Sequence, residues 1–432
     1  LLFRQVFIMN LKQKVKKLFK YLGPGFIAGA SDDDPTAIVA YTQAGAKFGY
    51  GQLWTALFTL PFMTVIQEMS GRIGLVTGKG LAGVIKTHYS KKLLYIAVFS
   101  LLVANIVNIG ADLGAMAASG QLLFKIPFIF WIIGITIFTL FMEIFISYKT
   151  YAKFLKYLAL FLLSYVIVAF IVEQDWRQIF FSTFIPSISL NKSYLLCLLA
   201  ILGTNMSPYI FFWQADEEVE EEIANHKIKV MGRDIPKTGK ADIKKMDLDI
   251  AIGMVFSNVI VFFIAIVAAS TLGKYGITDI QTADQAALAL QPLAGNFASI
   301  LFAVGIIGSG LLAVPVLAGS ASYALAESFG WREGLYRKFK QAHGFYGVII
   351  IATLIGLFMN FISISPFQLL IYAAALNAII APILLVFIIF ISNNKKIMGE
   401  RTNSLLSNIL GWLIAVVMAI VSIAFIWSYF AG

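Results

Sequence analysis

Charged residues are scarce in this sequence. Asp, Glu, Lys and Arg make up 13% of its 432 residues, whereas soluble domains contain about 25% of such residues. Apolar residues make up 59%, and the mean hydropathy is +0.84. This composition excludes an ordinary soluble domain and predicts a polytopic membrane protein.

Cysteine and histidine are also scarce. The one cysteine, Cys197, lies inside an apolar run and excludes both an intrachain disulfide and a thiolate metal cluster. The three histidines are His88, His226 and His343. All three fall in predicted loops or at helix ends, so none is placed to relay protons within an apolar span.

Apolar runs long enough to cross a bilayer recur along the chain. Eleven spans are predicted, at about 22–46, 52–70, 93–123, 126–147, 153–172, 193–216, 250–272, 297–327, 342–362, 366–393 and 406–430. The predicted segments are a basic amphipathic arm (1–21), a first five-helix repeat (22–172), an extracellular linker (173–192), a second repeat (193–393) with a charged cytosolic loop (215–249), and a cytosolic turn with the last span (394–432).

The distribution of Lys and Arg predicts the orientation. The net charge of +10 is carried in short segments between spans, which indicates topology and not nucleic-acid binding. If the N terminus is cytosolic, 28 of the 33 Lys and Arg residues lie inside. We therefore expect the N terminus inside, the C terminus outside, and the basic arm on the anionic inner leaflet.

One polar stretch interrupts the first span. Asp32, Asp33 and Asp34 follow one another, and Pro35 comes next. A charged side chain at mid-membrane costs on the order of 3 kcal/mol. Proline lacks a backbone donor and disfavours helix at the residue before it. The stretch therefore predicts a cation site in a broken transmembrane helix.

A second polar stretch interrupts the sixth span, five spans later. It reads Gly-Thr-Asn-Met-Ser-Pro-Tyr and covers residues 203–209. Two broken helices at matching positions of two five-helix halves are typical of inverted-repeat transporters, whose site lies between the breaks. We therefore predict an all-α transporter rather than an enzyme.

Several segments resemble the Nramp (natural resistance-associated macrophage protein) family of divalent-metal transporters. They are Gly23-Pro24-Gly25, Asp34-Pro35, the run from Ala44 to Tyr50, the run from Arg72 to Lys79, Asp112-Leu113-Gly114, and Gly203 with Pro208. The resemblance implies the LeuT-type fold, with a metal ion held between the first and sixth helices as substrate and no cofactor. It also implies a carrier in a prokaryotic cytoplasmic membrane.

The candidate metal site offers only oxygen donors. Asp34 is expected to carry the principal charge and Thr204 to offer its backbone carbonyl. The other candidates are Ser207, Asn205, Thr36, Asp33 and Asp32. Carboxylate, carbonyl and hydroxyl oxygens suit Mg²⁺ and Mn²⁺, and Mg²⁺ usually keeps several waters. We therefore expect Mg²⁺ as the substrate, with Mn²⁺ also accepted, as in the Nramp-related Mg²⁺ transporter branch that the sequence resembles.

The departures from the family pattern concern soft ligands and proton coupling. Ser207-Pro208-Tyr209 stands where the family usually has Met-Pro-His. Met206 lies one residue before the position of the family methionine, so its side chain is expected to pack against other residues and not to bind the ion. Tyr209 and Gln214 occupy the positions of two family histidines, and Ala115 stands where a carboxylate usually follows Asp112. The sequence thus predicts uptake without proton coupling.

Four further residues are candidates for the ion path: Asp112, Gln214, Tyr209 and Asn377. Asp112 could instead be a structural partner of a polar group, and Asn377 is expected to bond between helices. The acidic run 216–222 is interpreted as a solvated helix end before a flexible loop, with an acidic exit vestibule as the alternative.

Two other functions remain open. One is a proton-coupled Mn²⁺/Fe²⁺ importer with a modified site, and the remote one is an amino-acid carrier of the same fold. The carboxylates at 32–34 would repel an amino acid's own carboxylate. A monomer or a weak oligomer is expected, with metal ions and the bilayer as the partners.

Overall fold

The computed structural model describes residues 23–146 and 162–430. The predicted arm 1–21 and the first part of the predicted span 153–172 lie outside the described residues. Within the described ranges every regular element is a helix. This agrees with the predicted all-α class.

The first half of the chain contains helices α1 to α8. Their bounds are α1 Pro24–Asp32, α2 Pro35–Phe48, α3 Trp54–Thr77, α4 Leu81–His88, α5 Lys91–Phe124, α6 Phe128–Phe145, α7 Leu163–Ile171 and α8 Trp176–Phe184. A 3₁₀ turn at Gly49–Gln52 joins α2 to α3.

The second half contains helices α9 to α18. Their bounds are α9 Lys192–Asn205, α10 Pro208–Ala224, α11 Lys240–Ser270, α12 Ala283–Ala287, α13 Gln291–Ala294, α14 Ala298–Phe329, α15 His343–Met359, α16 Pro366–Asn393, α17 Lys395–Met398 and α18 Leu405–Phe430. Short 3₁₀ turns lie at Gly273–Tyr275, Leu288–Leu290, Gly295–Phe297 and Phe339–Gln341.

Seven described segments are long and apolar enough to cross a membrane. They are Lys91–Phe124, Phe128–Phe145, Lys192–Ala224, Lys240–Tyr275, Ala283–Phe329, Pro366–Asn393 and Leu405–Ser428. His343–Met359 is a shorter apolar helix. The number of eleven spans, like the inverted-repeat symmetry, stays a prediction.

Both interrupted helices are present, and proline explains both interruptions. α1 ends at Asp32 and α2 begins at Pro35, while α9 ends at Asn205 and α10 begins at Pro208. Proline is favourable in the first turn of a helix, where no backbone donor is needed, and unfavourable inside one. Each proline thus starts a new half-helix and leaves the backbone before it extended.

The interrupted helices lie at the centre of the bundle. In the most apolar window of the segment formed by α9 and α10, 94% of the residues are buried, against 22% in α6 and 28% in α18. The outer helices expose large apolar side chains such as Phe130, Phe145 and Ile423, as a surface in contact with lipid requires. Polar groups on the central helices are therefore shielded from lipid by a ring of apolar helices.

Glycine allows close contact between α9 and α16. A Cβ atom added at Gly203 would overlap the backbone carbonyl of Ala374. Small residues at such crossings let helix backbones approach in a membrane. The contact holds the last turn of α9, just before its break, against a continuous helix.

We predict that Gly203→Val destabilises the protein by about 1 to 3 kcal/mol or more, because the backbone carbonyl of Ala374 cannot move aside as a side chain would. Thermal unfolding of the purified protein in detergent measures this. Gly134→Val in α6 is the matched control, since nothing lies within 4 Å of a Cβ there. Equal melting temperatures for the two variants would contradict the prediction.

Candidate metal site

The first break is organised by Asp34. Its backbone is extended, and its carboxylate Oδ1 accepts a hydrogen bond of 2.7 Å from the backbone N–H of Ala37. Asp34 is therefore the N-cap of α2, where the helix dipole stabilises negative charge. Its second oxygen, Oδ2, remains available toward the other interrupted helix.

The second break is organised by Ser207. Its hydroxyl lies 2.7 Å from the carbonyl of Thr204 and 3.0 Å from that of Gly203, so it bonds the last turn of α9. Each carbonyl oxygen has two lone pairs, so the Thr204 carbonyl can accept the hydrogen bond of the Ser207 hydroxyl and still bind an ion. The break thus presents a hydroxyl and a carbonyl side by side.

Tyr209 joins the two breaks. Its hydroxyl lies 3.3 Å from Asp34 Oδ2 and 3.1 Å from the carbonyl of Ser31. The sequence suggested Tyr209 only as a candidate for the ion path and missed this contact with Asp34. Its position directly after Pro208 was the available signal, because the first turn of a half-helix faces the break.

Two hydroxyls bond the neighbouring carboxylates. Thr36 donates to Asp112 Oδ1 at 3.1 Å, and Ser257 of α11 donates to Asp33 Oδ1 at 2.8 Å. Asp112 therefore contacts α2 from the middle of α5. The structure thus places Thr36 between the first break and Asp112, and it turns Asp33 toward α11.

Three carboxylate oxygens in this region are buried without a hydrogen-bond donor among the described residues. They are Asp32 Oδ1, Asp33 Oδ2 and Asp112 Oδ2. In the same part of the chain the ion pairs are those of Lys227 with Glu222 and Asp242, and neither reaches the breaks. Buried charge without a partner is costly, so the region favours a cation.

Three candidate residues are engaged elsewhere. Asn205 bonds the Tyr41 hydroxyl at 2.8 Å and the Thr59 hydroxyl at 2.6 Å. Asn377 bonds Asn108 across α16 and α5 at 2.8 Å, as expected for a contact between helices. Gln214 accepts from Gln67 at 3.2 Å and donates to Glu218 at 2.8 Å. Among the described residues, none of these three forms a hydrogen bond with the Asp34 side chain.

Soft ligands are not part of this arrangement. Met206 is buried and packs in the main hydrophobic core. Among the described residues, no three side chains of His, Cys, Asp or Glu converge closely enough to hold a metal ion. An ion at Asp34 would therefore be completed by uncharged oxygens or by water.

The site is closed to solvent, and Asp249 of α11 fixes the start of α1. Asp34 is 3% exposed and Thr204 2%. The two carboxylate oxygens of Asp249 accept from the backbone N–H groups of Gly23 and Gly25, both at 2.8 Å. These bonds satisfy free donors at the N-terminus of α1 and complement its dipole. We call this contact the α1 clamp.

The interpretation of the acidic run as a solvated helix end is wrong. α10 continues to Ala224, and all its acidic residues from 216 to 222 except Glu221 are buried. Neighbouring segments cover them: Glu220, for example, accepts from the Tyr323 hydroxyl at 2.6 Å and from the Leu335 N–H at 2.7 Å. In the loop that follows α14, burial and the nearby negative charge of Glu327 raise the pKa of Glu333 to about 9.

Solved structures share this architecture. The crystal structure of the Eremococcus coleocola manganese transporter in complex with an aromatic bis-isothiourea substituted compound matches with a TM-score of 0.72, at 18% identity over 96% of this chain and 87% of that one. The inward-facing conformation of Mhp1 matches with a TM-score of 0.53, at 13% identity over 95% of this chain and 91% of that one. The fold is that of the LeuT-type membrane transporters.

Sequence comparisons give the family. The family described as natural resistance-associated macrophage protein-like (Nramp) matches residues 25–428. Two relatives named divalent metal cation transporter MntH are each 25% identical. That from Caldanaerobacter subterraneus subsp. tengcongensis aligns over 93% of this chain and 91% of its own. That from Clostridium acetobutylicum aligns over 98% and 94%. The chain belongs to the Nramp family, which confirms the resemblance, and it is a multi-pass membrane transporter.

We predict that Asp249→Asn loosens the α1 clamp, because an amide can accept from one of the two N–H groups but has no second acceptor oxygen. Backbone amides of residues 23–32 should exchange hydrogen on the order of tenfold faster, as loss of a charged hydrogen bond implies. Hydrogen exchange followed by mass spectrometry measures this.

Asp242→Asn is the matched control. This residue is also a carboxylate of α11 that accepts a backbone N–H, from Gly239 at 2.8 Å, but its bonds do not involve α1. Exchange in residues 23–32 that is the same in both variants would show that the clamp does not hold α1.

Proposed function

We propose that this Nramp protein carries Mg²⁺ into the cell by alternating access, accepts Mn²⁺ as well, and does so without proton coupling. The observation that supports this most is the donor set at the two breaks. Asp34, Ser207, Thr36 and the Thr204 carbonyl offer oxygen alone. Divalent metal transport itself is the activity in the names of the curated relatives.

A site made only of oxygen ligands disfavours softer metals because it contains no thioether or imidazole group. Thioether and imidazole groups favour late transition metals, whereas carboxylate, carbonyl and water suit Mg²⁺ and Mn²⁺. Met206 packs in the core, and the described histidines His88, His226 and His343 are all exposed at helix ends or in loops. The site therefore lacks the groups that would favour a softer ion.

Asp34 is proposed as the principal charge on the ion. Thr204 would contribute its carbonyl, and Ser207 and Thr36 would lie nearby and contact the ion directly or through water. Asp34 Oδ2 is bonded to Tyr209 in the closed structure, so an entering ion would displace that hydroxyl. Asp32 and Asp33 add negative potential close to the first break.

Mg²⁺ loses its water reluctantly and usually keeps several water ligands. A site with one capping carboxylate and uncharged oxygens fits such an ion better than a cage of carboxylates would. The lack, among the described residues, of any group of three acidic, histidine or cysteine side chains that could hold a metal ion agrees with this.

Transport requires that the closed site open to each side in turn. We propose that α1 moves away from α11 to release the ion, which breaks the bonds of Asp249 to Gly23 and Gly25. The Lys and Arg count predicts that this end of α1 is cytosolic. A divalent ion moving inward across 100 mV gains about 4.6 kcal/mol, which drives uptake without a second ion.

A proton-coupled Mn²⁺ importer is the second candidate. The solved structures with this fold that are similar over nearly the whole chain include manganese transporters. Asp112, bonded to Thr36 beside Asp34, is the carboxylate that would carry the proton in that case. An amino-acid carrier is a remote third, since the same carboxylates would repel its substrate.

The test is ion flux into proteoliposomes under a negative-inside potential, with a trapped dye that reports lumenal pH. Mg²⁺ and Mn²⁺ should enter without acidification, because no histidine lies among the described central helices. Asp34→Ala should abolish uptake of both ions. Asp175→Ala is the control, since this residue caps the peripheral helix α8. Mn²⁺ entry with acidification and no Mg²⁺ entry would favour the coupled importer instead.

A further inference from the structure

A second buried carboxylate lies far from the two breaks, at the end of α6. Glu143 is 8% exposed, and neither of its carboxylate oxygens has a hydrogen-bond donor among the described residues. Burying a carboxylate without a donor is costly, whether the group is ionised or protonated. Among the described residues the side chain therefore has no hydrogen-bond partner, and a ligand could supply one.

Glu143 lines a cavity of about 540 Å³ between the end of α6, α14 and α15. Most of the wall is apolar and includes Phe145, Pro315 and Ile349. The same end of α6 exposes Phe141 and Phe145, which are 53% and 71% exposed, as expected of side chains that face lipid. The cavity therefore lies within reach of membrane lipid, at one end of the bundle.

Part of the lining is basic. Arg337, Lys338 and Lys340 line the cavity from the loop that precedes α15. None of them forms an ion pair in the part of the chain that the structure describes. The positive-inside count places this loop on the cytosolic side, next to the inner leaflet.

The basic loop is held in place by its own contacts. The Tyr346 hydroxyl of α15 donates to the carbonyl of Arg337 at 2.8 Å, and Arg337 Nε donates to the carbonyl of Glu333 at 2.9 Å. The guanidinium also lies over the Tyr336 ring, 4.8 Å from its centroid. These contacts fix the position of the basic loop that lines the cavity.

We propose that this cavity binds a phospholipid whose headgroup carries a primary ammonium. The ammonium would donate to Glu143, the phosphate would face the basic loop, and the acyl chains would follow the apolar wall. A metal ion fits less well, because the lining contains one carboxylate and three basic residues. A purely anionic lipid would satisfy the loop but leave Glu143 without a donor.

The experiment compares lipids that differ only at the nitrogen. Phosphatidylethanolamine has an ammonium that donates hydrogen bonds, whereas the trimethylated nitrogen of phosphatidylcholine has none to donate. Native mass spectrometry of the full chain in detergent, titrated with each lipid, gives the two dissociation constants. The wild-type protein should bind phosphatidylethanolamine on the order of tenfold more tightly, as one charge-assisted hydrogen bond implies.

Variants test which residues cause the preference for phosphatidylethanolamine. Glu143→Gln should abolish the difference between the two lipids, and Arg337→Gln should weaken both to a similar extent. Glu68→Gln in α3 is the control, since this carboxyl lies outside the cavity. Thermal unfolding without added lipid checks that each variant is folded.

Equal binding of the two lipids by the wild-type protein would overturn the proposal without any variant. A preference that survives in Glu143→Gln would overturn the role of the carboxylate. Tight binding of phosphatidylglycerol alone would show that the basic loop acts without Glu143. None of these results depends on which ion the protein carries.

Discussion

The structure depends on negative charge that is buried inside a membrane protein and that forms no ion pair among the described residues. Asp32, Asp33 and Asp34 are buried at the first break, Asp112 is buried beside it and bonded to Thr36, and the described ion pairs of Lys227 do not reach them. Such a cluster is stable only with hydrogen bonds, water or a bound cation. Hydroxyl groups from α2, α10 and α11 donate hydrogen bonds to some of the carboxylate oxygens. The oxygens without a described donor are the ones that a cation would neutralise.

The breaks themselves follow from local chemistry, and the sequence therefore predicted them. Pro35 and Pro208 each begin a half-helix, and Asp34 caps one of them, as residue types alone imply. The apolar runs likewise predicted the helices of the bundle. The predicted fold class is confirmed. It could be predicted because composition and hydrophobic periodicity are local properties of the chain.

The contacts across the site could not be predicted in the same way. At the end of a helix, beside a break, the direction of a side chain depends on its neighbours in space. The sequence placed Asn205, the last residue of α9, near the ion, whereas the structure bonds it to Tyr41 and Thr59. The contact of Tyr209 with Asp34 joins residues far apart in the chain. The burial of the acidic run has the same cause, because distant segments cover the end of α10.

The α1 clamp would connect the site to the proposed movement of α1. The half-helix α1 is short, its start is bonded to Asp249, and its end leads directly into the carboxylates at the break. A displacement of this one element would therefore open a path and alter the ligands at the same time. This coupling is a property of interrupted helices, whose halves can move separately.

The central claim is that a divalent cation binds between the breaks at Asp34 and Ser207. Crystals grown with Mn²⁺ would test it most directly by anomalous diffraction. We expect one strong peak within about 2 to 2.6 Å of an Asp34 carboxylate oxygen and close to the Thr204 carbonyl, which is the range of metal–oxygen ligand distances. The peak should weaken when Mg²⁺ is added in excess. A peak at the Met206 sulfur or at the acidic end of α10, with none beside Asp34, would contradict the account.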